Sequence, residues 1–167
     1  MNRRFVDIAR TGASQQAGDA LGEREAAYLA RADTFYLATV NDAGWPYVQH
    51  RGGPKGFLRV LSPTRLAYAD FRGNLQHLSA GNAARNDRAS ILVMDYATRQ
   101  RLKLLGRLRF VDVDEADAGL VRKVELPGYA ARVERVALFD LVAYDWNCPR
   151  HITQRFTLEE LQSMSFP

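Results

Sequence analysis

Phe35-Tyr36-Leu37-Ala38-Thr39-Val40-Asn41-Asp42-Ala43-Gly44-Trp45-Pro46-Tyr47-Val48-Gln49-His50-Arg51 is the stretch on which the fold turns. Its first six residues are aromatic, branched or small, and its last six begin on Pro46 and again suit extended backbone. Two such runs around Asp42-Ala43-Gly44 predict a β-hairpin with its reversal on those three residues. The same chemistry, followed outward, predicts strands at residues 57–61, 66–71, 90–94, 102–111 and 133–144, with turn formers such as Ser62-Pro63-Thr64 between them. Six or more strands with short connections predict a mainly β domain, a barrel or a sandwich.

Short helices punctuate these strands. Residues 23–32 are rich in good helix formers, with Tyr28, Leu29 and Ala32 on one inward stripe, and Asp33-Thr34 ends them. Leu75, Leu78 and Ala83 fall at helical spacing after the fourth strand, with Asn74 placed to cap that helix. Residues 114–124 and 157–164 predict two more, the last opened by Thr157 with Glu160 three residues on, a capping-box pattern. Residues 1–20 carry few large apolar groups and are expected to form an extended N-terminal arm, which leaves 21–167 as one domain.

Composition bounds the function. The chain has 167 residues, 47% hydrophobic and 25% charged, an ordinary globular balance. The net charge of +4 comes from 20 arginines and three lysines against 19 acids. Arginine's planar fork suits phosphates and carboxylates, so an anionic ligand fits the excess. The basic residues are spread along the chain, which weighs against nucleic acid. The single cysteine, Cys148, cannot form an intrachain disulfide, and no run of about 18 apolar residues occurs, so a cytoplasmic protein with no membrane partner is expected. His50, His77, His151 and Cys148 are too scattered for a metal pattern, and no nucleophile elbow, Walker or dinucleotide-binding glycine motif appears.

Two basic, glycine-broken stretches carry the chemistry. Gln49-His50-Arg51-Gly52-Gly53-Pro54-Lys55-Gly56 and Asp70-Phe71-Arg72-Gly73-Asn74 each couple cations to backbone with little side-chain bulk. Main-chain N–H groups and a guanidinium can then reach a phosphate together. The glycines at 52 and 53 predict a bulge or a close backbone approach to a ligand. A helix N-terminus after Arg72-Gly73 would add unpaired N–H groups and a partial positive charge.

In their order along residues 23–156, Tyr36-Leu37-Ala38-Thr39-Val40, Gly44-Trp45-Pro46-Tyr47, Gln49-His50-Arg51-Gly52-Gly53, Leu66-Ala67-Tyr68-Ala69-Asp70, Arg72-Gly73-Asn74, Ser79-Ala80-Gly81-Asn82 and Arg101-Leu102-Lys103-Leu104-Leu105-Gly106 resemble the landmarks of the pyridoxamine 5′-phosphate oxidase-like superfamily. The closing Asp145-Trp146-Asn147-Cys148-Pro149-Arg150-His151-Ile152 is similar to its flavin-nucleotide-binding branch. The resemblance implies a six-stranded antiparallel split β-barrel that forms a homodimer with FMN at the interface. It places Arg51 at the FMN phosphate and Gly52-Gly53 beside the flavin ring. Lys55 stands one residue short of the family's lysine. Tyr68 and Ala69, with Asp70 after them, match the strand along the ribityl phosphate, and Arg72-Gly73-Asn74 covers a second phosphate contact. Arg101 falls where the family has a glutamine near the ring, Trp146 and Asn147 move toward the cofactor, and Arg155 matches an arginine reaching the ring from the second subunit.

One departure bears on activity. The vitamin-B6 oxidase carries Arg-x-His-x-Arg near its end, and the aligned stretch here is His151-Ile152-Thr153-Gln154-Arg155. An imidazole and a hydroxyl cannot replace a bidentate guanidinium at a substrate phosphate, so pyridoxamine phosphate is not the expected substrate. The expectation is an FMN-dependent oxidoreductase acting on another small molecule near His151 and Thr153. A flavin-binding protein for storage or sensing, and a haem-binding relative on the same barrel, stand as alternatives.

Overall fold

The computed structural model describes residues 2–12, 18–72, 77–146 and 150–164. Its elements are α1 (Arg3–Thr11), α2 (Glu23–Arg31), β1 (Thr34–Val40), β2 (Pro46–Gly52), β3 (Arg59–Ser62), β4 (Arg65–Phe71), α3 (Leu78–Arg85), β5 (Arg88–Asp95), β6 (Gln100–Asp112), α4 (Ala118–Val124), β7 (Val133–Trp146) and α5 (Leu158–Ser163). The hairpin forms as its residues dictate: Thr34 pairs with Gly52 and Val40 with Pro46, and the reversal uses Gly44 at φ +83°. The Asn41 side chain accepts from the Trp45 N–H and closes the turn.

All strands join one antiparallel sheet in the order β2-β1-β5-β6-β7-β4-β3. The expected six-stranded barrel is thus corrected to a seven-stranded sheet whose two edges, β2 and β3, do not pair. It nevertheless curls. β1 and β4 are four strand spacings apart in that order, about 19 Å in a flat sheet, yet the rings of Phe35 on β1 and Tyr68 on β4 lie 5.2 Å apart. The sheet is therefore rolled around one core in which Phe35, Leu37, Ile91, Leu102, Leu104 and Phe139 are fully buried.

Phe57 and Leu58 explain why β3 starts later than the sequence predicts. They leave the sheet and plug this core, Phe57 stacking on Phe35 at 5.4 Å, so pairing begins only at Arg59. On the opposite face, Ala67, Ala69, Val136 and Leu138 form a second cluster with Val124 of α4, so the middle of β4 and β7 is buried on both sides. α4 itself begins at Ala118, because Asp117 caps it through the N–H groups of Gly119 and Leu120. The Thr157–Glu160 capping box opens α5 as expected.

Residues 3–11 are not an extended arm but a helix. Asn2 caps it, and the Asn2 Nδ2 group also donates to Asp19 and to the Tyr144 carbonyl. Phe5 is buried beneath the Lys103 ammonium, 4.5 Å from its ring centre. One large apolar residue and one cap suffice because Asn2 is anchored on β7 and Phe5 lies under Lys103 of β6.

No helix among the described residues is long and apolar enough to cross a membrane.

Candidate functional site

Alternation on β2 turns Tyr47, Gln49 and Arg51 inward and Pro46, Val48, His50 and Gly52 outward. The curl of the sheet then carries the end of β2 to the end of β4. Arg51 Nη1 donates to Asp70 Oδ1 at 2.8 Å, an ion pair between the first and sixth strands of the sheet order. Asp70 Oδ2 accepts from Arg135 Nε at 3.0 Å and Nη2 at 2.7 Å, Arg135 being its register partner on β7. Arg135 Nη2 also meets His77 Nδ1 at 2.6 Å, and His77 stands immediately before α3 with φ +47°. Two partly buried guanidinium groups, 19% and 17% exposed, and one buried carboxylate thus form an array where the open seam of the sheet is crossed by side chains.

Two polar atoms in this array have no partner. Arg51 Nε and Tyr68 Oη are both buried without a hydrogen bond. The Tyr68 ring lies 5.9 Å from the Arg51 guanidinium, and burial pushes its hydroxyl far above the ordinary range. Buried donors without acceptors cost roughly 1–3 kcal/mol each.

Gly52 and Gly53 are closely packed within the chain. A Cβ on Gly53 would lie 2.8 Å from the Phe57 ring, and one on Gly52 would lie 3.1 Å from the His50 ring. The Gly53 N–H is already spent on the Asp33 carbonyl. Ala69 turns to the second cluster behind β4, while Arg72 is largely exposed and stands 3.8 Å from Glu134. Gly73, Asn74 and Asn147 lie outside the described residues. The first residue of α3 is Leu78 and its N-terminal flank is His77, so a cap at Asn74 is too early for this helix.

The remaining candidates collect elsewhere. Lys55 pairs with Glu159 of α5 at 2.8 Å, and this contact raises the Lys55 pKa and lowers that of Glu159. Lys55, Arg31, Tyr96, Arg155, Phe156 and Glu160 are among the residues around a cavity of about 300 Å³ between α2, α5 and the end of β5. The Arg155 guanidinium lies over the Tyr96 ring at 5.2 Å. His151 and Thr153 are exposed, His151 at φ +65°. Arg101 is at the start of β6 with its Nε buried and unpartnered. Trp146 packs edge-on against Tyr28 of α2, beneath the Arg24 guanidinium, and donates its indole N–H to Glu25. No hydrogen bond, ion pair or ring contact given by the described residues joins Arg101, Trp146 or Arg155 to Arg51 within the chain.

Arg135 and His77 are the site residues that sequence reasoning missed. Arg135 sits in Val133-Glu134-Arg135-Val136, where a charge at a strand entrance reads as solvated, and only its register opposite Asp70 shows otherwise. His77 enters the sequence reading only among histidines too scattered for a metal pattern, and its place beside Arg135 is set by the tertiary structure.

The sequence profile of the pyridoxamine 5′-phosphate oxidase family matches residues 21–142. Among curated proteins none matches significantly. Solved structures share the fold at low identity. HupZ from Group A Streptococcus is 11% identical with a TM-score of 0.62, over 81% of this chain and 99% of that one. A pyridoxamine 5′-phosphate oxidase-related, FMN-binding protein from Nostoc punctiforme is 18% identical with a TM-score of 0.53, over 75% and 84%. An F420 reductase is 16% identical with a TM-score of 0.52, over 75% and 98%.

Proposed function

The chain belongs to the pyridoxamine 5′-phosphate oxidase family, and from that premise we propose that it is an FMN-dependent oxidoreductase acting on a small molecule other than pyridoxamine phosphate. The observation that carries the reading is the Arg51–Asp70–Arg135 array with its two unpartnered buried donors, Arg51 Nε and Tyr68 Oη. Charge-assisted bonds from guanidinium groups suit a phosphate without a metal. Relatives on this fold include an FMN-binding protein and an F420 reductase, which supports redox work by a flavin-type ring.

In this reading Arg51, Tyr68 and Arg135 hold the phosphate, and Asp70 holds both arginines in place. Bound flavin would supply two-electron transfer, and a cation at its pyrimidine edge favours the anionic reduced ring. Arg101, whose buried Nε has no partner, and Arg155, whose guanidinium lies over the Tyr96 ring, are the cations this reading gives to the flavin ring. Within one chain they are not joined to the phosphate array, so we assign them to the ring of a second copy's cofactor in a homodimer. Exposed His151 and Thr153 lack the donor fork that a substrate phosphate needs.

The test is the visible spectrum of the purified protein, before and after incubation with FMN. Flavin absorbance that survives desalting and is released by acid is expected, followed by reduction faster than that of free FMN with a nicotinamide donor. A protein that stays colourless after reconstitution sinks the proposal.

A further inference from the structure

Asp70 is an unusual companion for a phosphate. Its side chain is 4% exposed, and both of its oxygens are taken, one by Arg51 and the other by Arg135. Two guanidinium charges less one carboxylate leave a single net positive charge inside the array. Arg72 does little to change this, since its side chain is 60% exposed and stands near Glu134. A phosphomonoester carries about −1.5 to −2 at neutral pH, with a second pKa near 6, whereas a phosphodiester carries one charge throughout. Excess like charge in a water-poor site is costly.

We propose that Asp70 sets this site to the charge of a singly ionised phosphate group, so that it takes a phosphodiester, or a phosphomonoester carrying one proton, ahead of the dianion. The proposal rests on reading the array as the phosphate end of a flavin site and adds to it the ionic form that is bound. The groups facing Asp70 are Arg51 from β2, Arg135 from β7 and Tyr68 from its own strand, with His77 ahead of α3 reached through Arg135. Tyr68 stays neutral across the working range because burial raises it. His77 receives Arg135 on Nδ1. Protonation of the ligand affects a monoester only.

That difference defines the experiment. Dissociation constants of riboflavin, FMN and the monomethyl phosphate ester of FMN are measured by flavin fluorescence at pH 6, 7 and 8, on the full chain and on Asp70→Asn. In the wild type, FMN is expected to weaken by about 50-fold from pH 6 to 8 in the limit where only the protonated form binds. The methyl ester should hold its affinity over that range, and both should exceed riboflavin. Asp70→Asn, shown to be folded by its thermal transition, should abolish the FMN slope and favour FMN over its ester at pH 8.

Wild-type FMN and ester affinities that run parallel with pH overturn the proposal, even if Asp70→Asn fails to fold. So does an Asp70→Asn protein that loses FMN equally at every pH. Riboflavin binding as tightly as FMN overturns it by removing the phosphate from the array. Absence of all flavin binding instead overturns the flavin reading itself.

Discussion

A methyl group at position 106 has nowhere to go. A Cβ on Gly106 would lie 2.5 Å from the Asp140 carbonyl oxygen and 2.5 Å from the Phe139 ring, where the β6–β7 register shifts. Gly106→Ala should therefore destabilise the fold by about 1–3 kcal/mol through overpacking, read as a lower urea midpoint with an unchanged slope. Glu25 makes a second prediction at this scale. Burial raises its pKa, but the Trp146 indole N–H, the backbone N–H groups of Gly22 and Glu25, and the nearby Arg24 outweigh that, and the net shift is downward. A depressed carboxyl stabilises the fold above its unfolded pKa and loses that contribution as pH falls through the folded one, so the loss lies below about pH 4. Glu25→Gln should lower the melting temperature at pH 7 and shrink its fall between pH 5 and 3. Equal acid slopes for the two proteins would contradict this. Neither packing role is legible in sequence: Gly106 closes a landmark strand run without showing what its missing side chain avoids, and Glu25 reads as one more helix former.

Local chemistry located the elements well where it was self-contained. The Asn41–Gly44 reversal and the Thr157–Glu160 box need only neighbouring residues, and both form as read. α1 shows the opposite case. Its helix is fixed by Asn2, whose side chain caps Arg4 and Phe5 while reaching Asp19 and Tyr144, and by the Asn2 N–H on Asp145 at 2.7 Å. Those partners are 17 to 143 residues away in sequence, so periodicity within 1–20 could not reveal them. Asn2→Ala should loosen α1 by about 1 kcal/mol, seen as faster amide exchange at residues 5–11 with little change in β6. The late start of β3 has the same origin, because Phe57 and Leu58 find a better place in the core than in the ladder.

At the scale of the whole molecule, the decisive feature is a sheet that curls until its seam is crossed by an ion pair instead of a hydrogen-bonded ladder. Asp70 and Arg135 face each other on the paired strands β4 and β7, and only the curl brings Arg51 of β2 to them. Arg155 and Tyr96 lie outside that array. If a homodimer shares each site between copies, as proposed, Arg51→Gln and Arg155→Gln proteins should each lose FMN alone but recover part of it when mixed and re-equilibrated. Random exchange across a two-fold interface makes half of the dimers mixed, each with one intact site, so about a quarter of wild-type binding should return. No recovery, with exchange verified by native mass spectrometry, would place both arginines in the same copy's site or remove one from it.

Hydrophobic patterning and turn residues determined by themselves that this chain is a β protein with a hairpin at 35–51, and the paired basic-glycine stretches singled out Arg51 and Asp70, which the structure joins in an ion pair. Those are consequences of local backbone preference and side-chain charge, which travel with the sequence. Tertiary structure alone decided that Gly52 and Gly53 make room for His50 and Phe57, that Arg135 and His77 join the array, and that Asp70 is shared between two arginines. The array depends on which strands the curled sheet brings together, and strand order is set by the burial of a common core rather than by any one segment.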